Sequence, residues 1–310
     1  MAYYVRAPGT CGEFIQGSID GQSFLVTCPI NRYSYALSDV MYPLPFYHCS
    51  LQPKAQEAHR IVFRTLQGAN TMDIDSIRLN DFSSCYEESF NTPIYVRSDI
   101  VQGKGMASSS ADISVTAMAT ALALQKTLTL KELESICLSV EPTDAAFYPG
   151  ITQFDYITGS ISQHLGQCPP LKILIFDEGG IIDTVAFNQQ ADLQKKIEEK
   201  ESIIREALDI FKEGLVAHDI RLIGQAATLS AFANQRILYK PHLYDFHEIG
   251  IAFQSVGTII AHSGTIMGLL FPTDYNGISD CKRYIERKLP SIQFVDIVET
   301  TNEGLTYIKR

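Results

Sequence analysis

The amino-acid sequence predicts an α+β protein built from two lobes. Strand-like runs separated by Gly, Pro, Asn and Asp fill most of the first hundred residues, whereas helical patterns alternate with strands from residue 111 onward. A chain of 310 residues is long enough for two domains, at roughly 150 residues per domain. Because glycines and prolines cluster over residues 159–170, we expect an N-terminal lobe over residues 1–165 and a C-terminal lobe over residues 166–310.

The composition excludes several classes of function. The chain has 25 Lys and Arg residues against 35 Asp and Glu residues, a net charge of −10, whereas a duplex-binding surface needs clustered positive charge. The seven cysteines are scattered and include no C-x-x-C pair, which is typical of reduced thiols in a cytoplasmic protein. The sequence has neither the start of a signal peptide nor an apolar run near the ~20 residues of a membrane span. We therefore expect a cytoplasmic protein that binds neither nucleic acid nor membrane.

Residue patterns predict the elements of the N-terminal lobe. Runs of β-branched and aromatic residues predict strands at Phe24–Pro29, Tyr33–Leu37, Ile77–Leu79 and Pro93–Arg97. Lys54–Leu66 is compatible with one helix between these strands. Ala111–Leu124 is apolar nearly all round, as expected of a buried helix. Leu130–Val140 predicts a further helix that ends at Glu141, because the residue before a proline is pushed out of helical geometry.

The C-terminal lobe is predicted to mix helices and strands. The fully apolar run Leu171–Phe176 predicts its first strand. Apolar residues then keep helical spacing from Leu193 to Leu215, with a charged and solvated face opposite. Further helices are predicted at Arg221–Ala233, His242–Ser255 and Ile278–Lys288, and further strands at Thr265–Phe271 and Gln293–Ile297.

The most informative stretch is a Gly/Ser-rich turn, Gln102–Ser110, which runs directly into the predicted buried helix. Its small residues let the backbone turn sharply and approach a ligand closely. The start of a helix offers unpaired N–H groups and the positive end of a dipole to an anion, and Lys104 adds a positive charge. The spacing is not that of a Walker A loop. As an alternative, Ser109 and Asp112 form only a capping box and the glycines only a turn.

Three segments, in this order along the chain, resemble the GHMP kinase superfamily, which includes the galacto-, homoserine and mevalonate kinases. Ala7–Gly17 (APGTCGEFIQG) is similar to the N-terminal substrate motif. Gly103–Ser109 (GKGMASS) is similar to the phosphate loop, although Met106 and Ala107 depart from the usual Gly-Leu-Gly-Ser-Ser. Ala261–Leu269 (AHSGTIMGL) is similar to the third motif. The resemblance implies a ribosomal-protein-S5-like N-terminal lobe, a ferredoxin-like C-terminal lobe and an active site between them.

The departures from the superfamily pattern are similar to one branch, the L-threonine kinases, which make O-phospho-L-threonine for the aminopropanol linker of cobalamin. They comprise the loop itself, Cys11–Glu13 with Ile15–Gly17, Glu141–Asp144 (EPTD) with Tyr148–Gly150, and His262–Thr265 (HSGT). The similarity extends from residue 5 to about residue 271. It implies that the phosphates of ATP lie over Gly103, Lys104, Gly105, Met106, Ala107, Ser108, Ser109 and Ser110.

Glu141 and Asp144 place two carboxylates three residues apart in a turn after a helix. Phosphoryl transfer needs Mg²⁺ held by hard oxygen ligands and a group that orients the attacking hydroxyl. By resemblance, Asp144 occupies the position of the catalytic aspartate, and Lys104 joins it as a catalytic residue. Ser109 and Glu141 are then the expected Mg²⁺ ligands, with Glu134 as a rival to Glu141. As an alternative, the two carboxylates of the turn merely cap it.

Candidate groups for an amino-acid substrate lie elsewhere in the sequence. Glu13 can hold an ammonium group or pair with a nearby basic residue, and Asp155 is a weaker candidate for the same role. Arg6, Arg32 or backbone amides can take a carboxylate, and the sequence does not choose among them.

The residues of the third motif are expected in or beside the cleft. Gly264 and Thr265 are predicted to line the nucleotide or substrate site. His262 is either a hydrogen-bond donor in the cleft or a structural histidine beside a turn.

Together with the residue patterns, the resemblance implies a kinase that uses ATP and Mg²⁺ to phosphorylate the hydroxyl of L-threonine. Another GHMP kinase is the enzymatic alternative, notably homoserine kinase, although homoserine kinases generally lack an acid at the position of Asp144. An inactive metabolite-binding regulator on the same fold is the other alternative. A homodimer is compatible with the sequence, which does not fix the oligomeric state.

Overall fold

The structure, a computed structural model, describes residues 2–39, 52–67, 94–180 and 193–309. In these ranges ten strands form one sheet, and eight α-helices accompany it. The strand predicted at Ile77–Leu79 lies outside the described residues. The α+β class predicted from the sequence is confirmed.

Two long strands open the N-terminal half. Its elements are β1 (Ala2–Ile19), β2 (Gln22–Asp39), α1 (Pro53–Gln67), β3 (Ile94–Ser98), α2 (Ser108–Ala123), α3 (Leu130–Val140), β4 (Ile151–Phe154) and β5 (Ser162–Gly166). The helix predicted at Leu130–Val140 has those bounds, and a capping box between Thr129 and Glu132 begins it. The two strands predicted over residues 24–37 are parts of the single strand β2. The strands β1, β4 and β5 were not predicted.

The C-terminal half contains the remaining elements. They are β6 (Leu171–Asp177), α4 (Leu193–Glu199), α5 (Glu201–Ala217), α6 (Ile220–Ala233), α7 (Leu243–Ala252), β7 (Gly257–Ile260), β8 (Ile266–Pro272), α8 (Ile278–Lys288), β9 (Gln293–Glu299) and β10 (Thr306–Lys309). The helical spacing from residue 193 to residue 215 covers two helices, because the chain leaves helical geometry at Lys200. The buried ammonium of Lys200 donates to the Gln16 carbonyl at 3.0 Å and to Asn234 Oδ1 at 2.7 Å.

The sheet joins the two halves through β1 and β2. Its strand order is β5-β4-β2-β1-β7-β8-β6-β9, with β10 paired to β1 and β3 paired to β2. The order β7-β8-β6-β9 arises from a β-α-β-β-α-β chain path, which agrees with the expected ferredoxin-like lobe. The boundary predicted between residues 165 and 166 falls at the end of β5 and stays a prediction.

Helix α2 is the central helix of the N-terminal half. All but the first two of its residues are buried, from Ser110 to Ala123. The apolar character on every side explains this position, since the helix packs against α1, α3 and the sheet. Its first turn therefore points from the core toward the surface, at a fixed place. No helix in the described part of the chain is long and apolar enough to cross a bilayer.

Candidate active site

A cleft with a volume of about 250 Å³ lies at the N-terminus of α2. It is formed by the loop before α2, the turn after α3, the middle of β1 and the turn before β8. Its lining includes three carboxylates and one ammonium group, from Glu13, Glu141, Asp144 and Lys54, and three serines of the loop, Ser108, Ser109 and Ser110. The structure thus brings together the carboxylates and loop serines that the sequence analysis selected.

The loop has the backbone conformation that its sequence predicts. Gly103 and Gly105 have φ angles of +71° and +84°, in the region that favours glycine. Ala107 also lies in the left-handed region, with φ of 56°, although it is not a glycine. Met106 lines the cleft, but its side chain is buried in the core, and its carbonyl accepts a hydrogen bond from Thr10 N at 3.0 Å.

The capping box considered for Ser109 and Asp112 is not formed. The residue that caps α2 is Ala107, which has no side-chain hydrogen bond to the helix. Asp112 is buried and instead accepts a hydrogen bond from Ser34 Oγ. The N–H groups of the first helical turn therefore have no side-chain cap and face the cleft beside the loop, as an anion site requires.

Gly264 and Thr265, predicted to line the site, pack against the loop and are not among the described residues that line the cleft. Thr265 N donates to the Lys104 carbonyl at 3.1 Å, and a Cβ on Gly264 would lie 2.2 Å from that carbonyl oxygen. A Cβ on Gly105 would lie 2.5 Å from Ala261 Cβ. The third motif and the loop are packed backbone to backbone, so glycine is required on both sides.

We expect Gly264→Ala to displace the loop. The new methyl group has backbone atoms as its nearest neighbours, which cannot rotate away, and a misplacement of about 1 Å at a reacting centre can cost on the order of 10²-fold in rate. The kcat/KM for ATP should fall by a factor of that order. Gly277→Ala is a suitable control, because its Cβ would meet the mobile end of a side chain, Tyr275 OH at 2.3 Å. Equal kinetics in the two variants would contradict the supporting role.

The side chain of Lys104 is turned away from the cleft. Its ammonium forms an ion pair with Asp177 at 2.6 Å and is 3.4 Å from the Gly180 carbonyl. Lys104 is not among the residues that line the cleft in the described part of the chain. Its predicted catalytic role is therefore not supported by this arrangement, whereas its backbone belongs to the loop.

The turn after α3 carries the two carboxylates into the cleft. Glu141 ends the helix, and Asp144 lies across from the first turn of α2, where Ser110 Oγ donates to Asp144 Oδ2 at 3.4 Å and accepts from Asp144 N at 3.3 Å. Burial, together with the charge of Glu141, raises the pKa of Asp144 to about 6, while the Ser110 hydroxyl opposes the shift. A carboxylate with a pKa near neutrality is suited to accept a proton.

Lys54 is a residue of the cleft lining that the sequence analysis did not select. It is the second residue of α1, and its ammonium forms an ion pair with Glu141. It lines both the main cleft and an adjoining cavity of about 280 Å³. One local signal was available: a lysine in the first turn of a helix opposes the helix dipole, and such local conflicts concentrate at functional sites.

Glu13 is held in the cleft by a bulge in β1. The register of β1 against β2 shifts between Thr10 and Glu13, and Gly12 has φ of +60° with no room for a side chain against the Ile260 carbonyl. Glu13 is 3% exposed, and its Oε2 has no hydrogen-bond partner among the described residues. Burial and the charge of Asp144 raise its pKa well above the usual range. A buried, unpartnered carboxylate is costly, and a cationic ligand would relieve that cost.

The weaker candidates from the sequence have structural partners elsewhere. Glu134, the rival metal ligand, accepts a hydrogen bond from Tyr148 OH at 2.6 Å and pairs with Lys131 on its own helix. Asp155 is occupied by the turn that follows it, where it accepts hydrogen bonds from Ile157 N at 2.9 Å and Thr158 N at 3.1 Å.

The two arginines proposed for a substrate carboxylate also lie outside the cleft. Arg6 pairs with Glu303 at 2.7 Å, and Arg32 pairs with Asp296 at 2.7 Å. Neither lines the cleft among the described residues. Backbone amides remain as the carboxylate site considered from the sequence.

His262 lines the cleft, which favours the functional interpretation over the purely structural one. Its ring makes an edge contact with Tyr156, with 5.0 Å between centroids, and its Nδ1 lies 3.1 Å from Gln16 Oε1. Gln16 Nε2 faces the Ile260 carbonyl at 3.4 Å, so Oε1 faces the histidine and Nδ1 carries the proton. Burial and the charge of Lys200 lower the pKa of His262 to about 3. The imidazole is therefore neutral.

The donor groups in the cleft fit magnesium with phosphate oxygens as further ligands. Ser109 and Glu141 both line the cleft and offer hard oxygen atoms. Within the described ranges, no three or more His, Cys, Asp or Glu side chains are grouped to hold a metal ion by themselves. Mg²⁺ is commonly held by one or two carboxylates together with substrate phosphates, which matches this set of donors.

The comparisons with known proteins agree with this geometry. The family of GHMP kinases N terminal domains matches residues 77–149. L-threonine kinase of Salmonella typhimurium is 30% identical over 286 residues, covering 92% of this chain and 88% of that protein. L-threonine kinase of Citrobacter freundii is 28% identical over 93% of each chain. Among solved structures, homoserine kinase from Cytophaga hutchinsonii has a TM-score of 0.67 at 14% identity and covers 99% of this chain and 97% of its own.

The fold and the curated relatives are those of a small-molecule kinase that transfers a phosphoryl group to an alcohol. The chain belongs to the GHMP kinases, and within them it is close to the L-threonine kinases. The resemblance stated from the sequence is confirmed.

Proposed function

We propose that this protein is an ATP- and Mg²⁺-dependent L-threonine kinase and that the cleft is its active site. The observation that carries the proposal is the meeting of the uncapped N-terminus of α2 with Glu13, Glu141 and Asp144 in one cleft. An anion site beside hard oxygen donors and a carboxylate of raised pKa contains the groups that phosphoryl transfer to a hydroxyl requires. The similarity to L-threonine kinases over most of the chain supports threonine as the acceptor.

The nucleotide is proposed to bind with its phosphates against the loop. The N–H groups of Ser108, Ser109 and Ser110 lie at the start of a long helix, where the dipole favours negative charge. Ser109 and Glu141 are the residues proposed to hold Mg²⁺. When bound, the metal neutralises charge on the phosphates during transfer.

The amino acid is proposed to bind on the other side of the cleft. Glu13 is buried with an unpartnered oxygen, so a substrate ammonium would supply the partner it lacks. Asp144 then lies where it can accept a hydrogen bond from the threonine hydroxyl and take its proton as the phosphoryl group is transferred. The Ser110 hydroxyl holds Asp144 in place, because it donates to the Asp144 carboxylate and accepts from the Asp144 N–H group.

The product is proposed to serve the aminopropanol linker of cobalamin in the cytoplasm. The five described cysteines are all buried free thiols, which supports a reducing compartment. In a host that lacks its own L-threonine kinase, the gene should restore cobalamin-dependent growth without added O-phospho-L-threonine. If the protein phosphorylates threonine in vitro but does not restore growth, the role in cobalamin synthesis is contradicted and the kinase activity is not.

The substrate prediction is tested by a phosphate-transfer screen with ATP and Mg²⁺. L-Threonine, D-threonine, L-serine and L-homoserine are compared, and each product is identified by mass. We expect the highest kcat/KM for L-threonine, because the relatives to which the chain is similar over most of its length are L-threonine kinases. A clear preference for homoserine would contradict the proposed substrate, and ATP hydrolysis without any phosphorylated amino acid would contradict the proposed activity.

A further inference from the structure

The positive charge in the cleft comes from an unexpected residue. Lys54 is the only Lys or Arg among the residues that line the cleft or the adjoining cavity in the described part of the chain. The lysine of the loop, Lys104, is paired with Asp177 outside it. Three carboxylates line the same cleft, so a polyanionic nucleotide needs a compensating cation close to the loop.

The position of Lys54 suits contact with phosphates. It lies where the cleft and the adjoining cavity meet. Three further residues line both spaces: Gly103, Ser108 and Ser109. These residues form the loop and the first turn of α2. The side chain is 55% exposed, and its ammonium pairs with Glu141, whose own side chain is 14% exposed. A long, flexible and exposed stem can move its ammonium from one partner to another at small cost.

We propose that Lys54 is a phosphate-binding residue that neutralises Glu141 in the nucleotide-free protein and leaves it for the nucleotide phosphates when Glu141 binds the metal; this inference rests on the proposed function. The carboxylate of Glu141 then pairs with two cations in turn, first the ammonium group of Lys54 and then the metal ion. Lys54 keeps the carboxylate from facing Glu13 and Asp144 without a counter-charge in the empty cleft. With nucleotide bound, the same ammonium gains a phosphate as its partner, so the exchange leaves no charge unpaired.

The test uses two binding measurements that do not depend on turnover. ATP binding is measured by calorimetry in the presence of Mg²⁺ and without amino acid, and Mn²⁺ binding to the nucleotide-free protein is measured by electron paramagnetic resonance. The charge-removing variant is Lys54→Met and the charge-keeping variant is Lys54→Arg. Lys131→Met is the matched control, because Lys131 also pairs with a glutamate of α3, Glu134, but does not line the cleft.

Lys54→Met should raise the Kd for ATP by about tenfold or more, the effect of losing one charged hydrogen bond. The same variant should bind Mn²⁺ several-fold more tightly, because Glu141 loses its competing cation. The gain for Mn²⁺ should vanish in Lys54→Met combined with Glu141→Gln. The Kd of Lys54→Arg for ATP should stay within a few-fold of the wild-type value. Lys131→Met should match the wild type in both measurements.

The proposal is overturned if either affinity of Lys54→Met equals that of the wild type, or if both become weaker. These outcomes are distinct from failure of the proposed function. A wild-type protein that binds ATP but phosphorylates no amino acid refutes the kinase activity, while the two affinities still decide the role of Lys54.

Discussion

Asp144→Asn should lower kcat by about 10²–10⁴-fold, the usual contribution of a general base. The asparagine keeps the shape of the side chain and can still accept a hydrogen bond, but it cannot take the proton of the threonine hydroxyl. The dependence of the rate on Mg²⁺ and ATP should change little, because the proposed metal ligand is Glu141. Steady-state kinetics at saturating ATP and threonine measure this effect.

The pH profile of kcat for wild-type protein, measured at saturating ATP and L-threonine, provides a second readout of the same group. Because the pKa of Asp144 is raised to about 6, the carboxylate is protonated and inactive as a base below that pH. The profile should therefore fall as the pH drops through about 6 and level off above it. Asp99→Asn is a control, since Asp99 pairs with Arg97 at the surface. A loss of only a few fold in Asp144→Asn would mean that Asp144 orients the hydroxyl without taking its proton.

Glu13→Gln should raise the KM for L-threonine by about 10- to 100-fold. That range follows from losing a charge-assisted hydrogen bond of about 1.5–3 kcal/mol to the substrate ammonium. The KM for ATP should stay close to the wild-type value, because the loop lies on the other side of the cleft. Kinetics with each substrate varied in turn separate the two effects.

The same variant should be at least as stable as the wild type. Burial raises the pKa of Glu13 in the folded protein above its value in the unfolded chain. The free energy of unfolding is therefore larger at low pH, where Glu13 is protonated, than at a pH where it is ionised. The wild type therefore loses this stability as the pH rises, whereas the glutamine does not titrate. Thermal unfolding should show an advantage for Glu13→Gln that grows from pH 5 to pH 8. A destabilised variant with an unchanged threonine KM would identify Glu13 as a structural residue.

Much of the fold was predictable, and the failures have physical causes. Helices α3 and α8 were predicted with their observed bounds because apolar spacing and terminal signals agree there. Strand β1 was missed because Pro8, Gly9 and Gly12 interrupt its pattern. These residues occur at register shifts and at a positive φ, where the strand bends toward the cleft.

The candidate site was predicted best where residues lie close in sequence. Glu141 and Asp144 share one turn, and Ser109 lies in the first turn of one helix, so local reasoning selected them. Lys54 escaped notice because it reaches Glu141 only after α1 packs beside α2 and α3. The sequence does not show that the Lys104 side chain pairs with Asp177, or that the backbone of Gly264 packs against the Lys104 carbonyl, because both contacts join residues far apart in the chain.

The most direct test of the central claim is a crystal structure with L-threonine, Mg²⁺ and a non-hydrolysable ATP analogue. The account predicts the threonine ammonium within about 3 Å of the Glu13 carboxylate and the hydroxyl within about 3 Å of Asp144, at hydrogen-bond distance. The terminal phosphate should lie against the first turn of α2. Threonine bound outside this cleft, or bound in it with its hydroxyl out of reach of Asp144, would contradict the assignment of the active site.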